Sequence, residues 1–122
     1  MFSNLGSCYL SQNAVKKSVI YTERAYEIMI SQPNPSPMLL LVVLVNLGDV
    51  YLADKQYVLA EKYFIQATNM AREYYGLESG FSAYVFNRLG ILLAEKGEYE
   101  KSIRTLNKAL KISIKNIDSN QY

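Results

Sequence analysis

Large and small residues alternate along this chain at steps of three and four, the spacing that stacks side chains on one face of a helix. From residue 57 the pattern runs Tyr57, Ala60, Phe64, Ala67, Met70, and from residue 99 it runs Tyr99, Ser102, Leu106, Ala109, Ile112. A weaker version, Val15, Ser18, Thr22, Ala25, Ile28, stands near the front. Each version is preceded by an apolar segment carrying a Leu-Gly pair: Leu5-Gly6, Leu47-Gly48 and Leu89-Gly90. The glycines are 42 residues apart in both intervals. Two equal intervals mark an internal repeat, which has to be recognised before a fold is assigned.

The pattern predicts six helices, over about 1–11, 13–31, 37–54, 56–75, 80–96 and 98–116, with ends uncertain by a few residues. "SQPNPSP" at 31–37 separates the first pair of helices from the second. Proline cannot sit in a helix interior, and Ser36 before Pro37 reads as a cap followed by a first turn. "GLESG" at 76–80 separates the second pair from the third, Gly76 ending one helix and Ser79 capping the next. Within the pairs the turn position is held by Asn13, Lys55 and Gly97. A glycine inside a helix costs about 1 kcal/mol against alanine. Three of them at one register position imply that paired antiparallel helices approach too closely there for a side chain, with large residues filling the space on either side.

These patterns, "NLGDVYLADKQYVLAEKYFIQA" and "NRLGILLAEKGEYEKSIRTLNKAL", resemble tetratricopeptide repeats. In that family leucine, glycine and tyrosine lie on the first helix, and small, large and alanine positions on the second. The family period is 34 residues. The period here is 42, as in the lengthened variant of kinesin light chains and some bacterial peptide-sensing regulators. The resemblance implies an all-α fold, a right-handed superhelical stack of three helix-turn-helix units. The units span about residues 1–31, 37–75 and 80–116, the first helix truncated, with a short polar tail at 117–122. Thr22 and Ser18 weaken the first unit, and Leu93 stands where tyrosine is expected in the third.

Composition narrows the function. Half of the 122 residues are apolar, enough for a buried core, and a net charge of +2 announces neither nucleic acid nor an anionic membrane. The longest apolar run, "MLLLVVLV" at 38–45, is far short of a bilayer span and reads as a core helix. A single cysteine, Cys8, gives no internal disulfide, so a reducing, cytoplasmic setting is expected, or an organelle interior if an upstream targeting segment is missing. Histidine is absent, Cys8 has no partner for a metal or nucleophilic site, and no glycine-rich phosphate loop occurs. "GEYE" at 97–100 reads as a solvated first turn rather than a carboxylate pair, since residues two apart on a helix do not face each other. The chain is expected to be a non-catalytic module without cofactor or metal.

Binding is the expected job. The resemblance implies a concave groove lined by the first helix of each unit. The candidates are Asn4, Ser7, Val42, Val45, Asn46, Asp49, Leu52, Ala53, Tyr84, Asn87, Arg88, Ile91 and Glu95, with Ala94 beside them. In the family an asparagine two places before the glycine hydrogen-bonds the main chain of an extended peptide. That role carries over to Asn4 and Asn46, while Arg88, at the same place, suits a carboxylate. Lys101, Arg104, Lys108, Lys111 and Lys115 form a basic stripe on the last helix, read first as a solvated face and second as a surface for an acidic protein.

Three readings stay open. The leading one is a module that binds an extended peptide or a partner helix in the groove. The second is an assembly segment whose end helices, carrying Leu110, Ile112, Ile114 and Ile117 at one end, join copies or neighbouring subunits. The third is a peptide-sensing regulatory domain. None of them calls for nucleic acid or membrane insertion.

Overall fold

The computed structural model describes the backbone of residues 4–119 and the side chains of residues 13–117. Five helices account for it: α1 (Asn4–Ile30), α2 (Pro37–Ala53), α3 (Tyr57–Tyr75), α4 (Gly80–Glu95) and α5 (Tyr99–Ser119). Each packs mainly on its neighbours in sequence, and α2 also touches α4. No described helix is long and apolar enough to cross a membrane.

The helix ends follow the local chemistry read from the sequence. Ser36 caps α2, its Oγ accepting from the Leu39 amide at 3.5 Å, with Pro37 in the first turn. Ser79 caps α4, accepting from the Ser82 amide at 3.2 Å. Gly76 leaves α3 at φ 94°, which a side chain would disfavour. The turns inside α2/α3 and α4/α5 place one residue each in the left-handed region, Lys55 at φ 61° and Gly97 at φ 86°.

The front of the chain corrects the expectation of six helices. The sequence pattern separates residues 1–11 from 13–31, but Asn13 is helical and α1 runs unbroken from Asn4 to Ile30. The reason is local: "SQNAVKK" at 11–17 holds no proline or glycine, and asparagine loses only a few tenths of a kcal/mol in a helix interior against average residues. The second and third units are helical hairpins as expected.

Their glycines sit where the register requires. A Cβ on Gly48 would stand 2.4 Å from the Phe64 ring, and one on Gly90 would stand 2.5 Å from Leu106 Cδ2. Both contacts join a glycine to the residue 16 further on. Close approach also lets Ser102 Oγ donate to the Gly90 carbonyl at 2.7 Å, a buried hydroxyl satisfied inside the hairpin. Gly6 falls outside the described side-chain environment.

The main core lies between α2 and α3, with Val85 and Leu92 of α4 closing it and Val19 and Tyr26 of α1 packed on the other side. A smaller cluster, Ala83, Phe86, Ala109 and Ile112, holds α4 to α5. The run at 38–45 is thereby explained: α2 touches α1, α3 and α4, so it needs apolar residues on most of its circumference. Hairpin joins hairpin through Tyr75 and Phe81, rings 4.5 Å apart, and through Lys96, which bridges Glu61 at 3.0 Å and Glu98 at 3.2 Å.

At the α1 junction Tyr51 and Tyr63 stack with centroids 5.7 Å apart, and the Tyr63 hydroxyl reaches Glu23 at 3.5 Å. Burial pushes the Tyr51 phenol up to about 12, with the Glu23 carboxylate adding to it, and raises Tyr63 for the same reasons. The folded chain thus holds these phenols neutral beyond their ordinary range. Stability from them is intact below about pH 10, the unfolded value, and is lost as pH rises from there through about 12.

Two predictions follow from this packing. Gly48→Ala gains about 1 kcal/mol of helix propensity but meets a fully buried ring, and overpacking costs about 1–3 kcal/mol. In denaturant titration it is expected to destabilise the chain by about 1 kcal/mol, Gly90→Ala by less because half-buried Leu106 can shift, and Gly80→Ala, with open space around it, not at all. In an alkaline absorbance titration, Glu23→Gln is expected to bring the last tyrosines to ionise back toward lower pH. An unchanged curve would separate Glu23 from the Tyr51 and Tyr63 phenols.

Candidate functional site

The first helices of the two hairpins, α2 and α4, lie side by side and carry matching stripes at 42-residue offset. On α2 the stripe is Val42, Asn46, Asp49 and Ala53, and on α4 it is Tyr84, Arg88, Ile91 and Glu95. Steps of four, three and four keep each set on one helix face. Val42 (44% exposed), Asn46, Ala53, Tyr84 (51% exposed) and Glu95 face solvent, while Asp49, Arg88 and Ile91 are half-buried between the helices.

One ion pair ties the stripes together. Arg88 Nε donates to Asp49 Oδ1 at 2.7 Å, with about a third of each side chain exposed. Burial raises the Asp49 carboxyl above its usual range, and Arg88, by hydrogen bond and charge, works against that rise. The guanidinium keeps its two terminal amino groups in addition to the committed Nε–H, in the planar fork that matches a carboxylate or amide oxygen. Asn46 stands one turn before Asp49 on the exposed side of α2. The face therefore combines a carboxamide, an anchored cation and two exposed apolar side chains.

Several sequence candidates fall elsewhere. Val45 (3% exposed) and Leu52 (7% exposed) belong to the core and are not surfaces, because they flank Gly48 on the side that α3 and α4 cover. Asn87 is exposed but lies away from the stripe, in a cavity of about 510 Å³ with Gly80, Ala83, Tyr84, Leu106 and Leu110 between α4 and α5. Ala94, the counterpart of Leu52, is half-buried. Asn4 and Ser7 lie outside the described side chains.

The basic stripe of α5 is partly neutralised. Lys101 pairs with Glu98 at 3.3 Å, Lys115 with Glu78 at 2.7 Å, and Lys108 lies over the Phe86 ring at 5.9 Å. Arg104 and Lys111 are exposed. Such surface pairs contribute little to stability. Among the described residues no group of three metal-ligating side chains comes together.

The Asp49 to Arg88 link was not read from the sequence, although its signal was there. The residues are 39 apart, three short of the repeat, so an acid one place after one glycine faces a base two places before the next. The Glu23 contact with the tyrosines had no such signal, because it depends on how α1 packs.

Among curated proteins and solved structures, none matches this chain significantly. A family model does: the tetratricopeptide repeat model matches residues 39–115, most of the chain and both glycine-registered hairpins. With that match, two hairpins in one register and glycines opposed to large residues at each crossing, the chain belongs to the tetratricopeptide repeat family.

Proposed function

We propose that the α2/α4 face receives an extended segment of a protein partner. Repeats of this family generally mediate protein–protein interactions, and the observation that favours this face is the exposure of Val42, Asn46 and Tyr84 on the two most apolar helices of the chain. Affinity comes from burying Val42 and Tyr84, since an exposed aromatic with a polar tip is the usual anchor of a binding surface. Asn46 matches a main-chain amide with donor and acceptor together, and Arg88, held by Asp49, meets a carboxylate or carbonyl oxygen. No step of this function involves covalent chemistry.

A second reading rests on a different observation. In the α2/α3 hairpin, Phe64, Ala67, Thr68 and Ala71 are all buried in the packed array. Their counterparts one repeat later, Leu106, Ala109, Leu110 and Ser113, line the cavity beside Asn87, with Leu110 57% exposed. This face is built to accept another first helix, which would make the chain part of a larger helical assembly.

The tests are separable. In a peptide-library pull-down, Asn46→Ala is expected to weaken capture about three- to tenfold, the worth of one neutral hydrogen bond, while leaving the thermal midpoint unchanged. Equal capture by both proteins would remove Asn46 from the site. For the second reading, Leu110→Glu is expected to abolish docking of an added α4-like helical peptide without touching capture on the α2/α4 face.

A further inference from the structure

The exposed stripe of α2 does not stop at Val42. Leu39 lies three residues before it on the same helix face and is 56% exposed. Beside Leu39 a cavity of about 520 Å³ opens toward α1, walled by Ala25, Ile28 and Met29 of that helix and by Pro35 of the loop. None of these residues belongs to the stripes of the α2/α4 face, yet the cavity adjoins that face through Leu39.

The 42-residue register explains the opening. One repeat later the counterparts of Ala25 and Met29 are Ala67 and Ala71, both fully buried in the hairpin. On α1 no first helix folds back over these positions, because the helix runs on without a turn. The register also accounts for the exposure of Leu39. Its counterpart is Phe81, whose ring lies 4.5 Å from that of Tyr75. The place of Tyr75 is held before α2 by Pro33, so the α1/α2 joint lacks the aromatic side chain that packs the next one.

The wall of the cavity makes little polar demand. The Ile28 carbonyl, in the last turn of α1, accepts from Ser31 Oγ at 2.7 Å and from Gln32 Nε2 at 3.4 Å. An apolar side chain is therefore buried here without stranding that backbone group. A ring suits the space, since Met29 adapts to irregular gaps and its sulfur favours an aromatic edge.

The path to the cavity is set by α2. Arg88, held by Asp49, stands on the α4 side of the face, Asn46 and Val42 follow, and Leu39 stands on the α1 side. Asp49 lies ten residues beyond Leu39, about 15 Å of helix. Extended chain covers that distance in about five residues.

We propose that the segment bound on this face carries an aromatic side chain about five residues from an acidic one, with the acid on Arg88 and the ring in the cavity beside Leu39. This rests on the peptide-binding reading of the α2/α4 face and adds what the bound segment must contain. Leu39, Ile28 and Met29 then determine which segments are chosen.

The experiment is selection from a displayed library of random peptides on the full chain, in parallel with Leu39→Asp and Ile28→Gln. Both residues are exposed, so the thermal midpoints are expected to stay unchanged, and two separate sites guard against one variant that misfolds. Peptides selected by the unsubstituted chain are expected to pair an aromatic residue with Asp or Glu about five positions away. Those selected by either variant are expected to keep the acid and lose the aromatic. Aromatic enrichment that persists in both variants, or that keeps no fixed distance from the acid, overturns the proposal. For one selected peptide, fluorescence polarisation is expected to show Kd rising about ten- to hundredfold with Leu39→Asp. Once the aromatic residue of the peptide is replaced by alanine, the same substitution is expected to have no further effect. Selected peptides weakened by Asn46→Ala and Arg88→Ala but indifferent to Leu39→Asp overturn the cavity alone. Peptides indifferent to all three changes, or a library that yields no binder, overturn the peptide-binding reading with it.

Discussion

The contact of a bare glycine with a large side chain sets the geometry of this protein. Phe64 lies where a Cβ on Gly48 would be, and Leu106 does the same at Gly90. Helices that approach this closely have one available register, so the remaining positions follow: alanines where backbones are near, and aromatic or aliphatic residues where they diverge. The glycine loses helix propensity and recovers it through the packing of a ring that is fully buried at Phe64. Because the register repeats every 42 residues, neighbouring first helices also arrive in a fixed relation, and Asp49 and Arg88 meet across that junction.

Much of this was legible in the chain because a repeat is stated more than once. The glycines, the caps at Ser36 and Ser79, the left-handed residues Lys55 and Gly97 and the helical hairpins they close all lie in local chemistry that one helix pair suffices to specify. The continuity of α1 was not legible from the repeat, whose register puts a turn at Asn13, although nothing in "SQNAVKK" stops a helix. The site was legible in part. Helical spacing alone put Val45 and Leu52 beside Asn46 and Asp49, but a helix buried on three sides has a narrow solvent face, and only the stripe at 42, 46, 49 and 53 falls within it. Reading the acid after one glycine against the base before the next would have found the ion pair.

Polar groups are placed economically in so apolar a core. Thr68 donates to the Phe64 carbonyl at 2.8 Å and Ser102 to that of Gly90, each hydroxyl serving the backbone beside a close helix contact. Lys96 holds both the turn of its own hairpin, through Glu98, and the flank of the preceding one, through Glu61. Exposed charge in this chain thus orients the joints, and burial supplies their strength.

The position of α2 has a dynamic consequence. Among the described helices it is the one that touches both α1 and a helix of each hairpin, α3 and α4, so its amide groups are shielded from both flanks of the array. Loosening can start at α5, which has one neighbour, and travel inward, yet α2 cannot open until both flanks have released it. Deuterium should enter its backbone last and in a single step, at the rate of global unfolding, while α5 exchanges through smaller excursions. Repeat proteins lose cooperativity as they lengthen, and this short array keeps it by threading its most apolar helix through the middle.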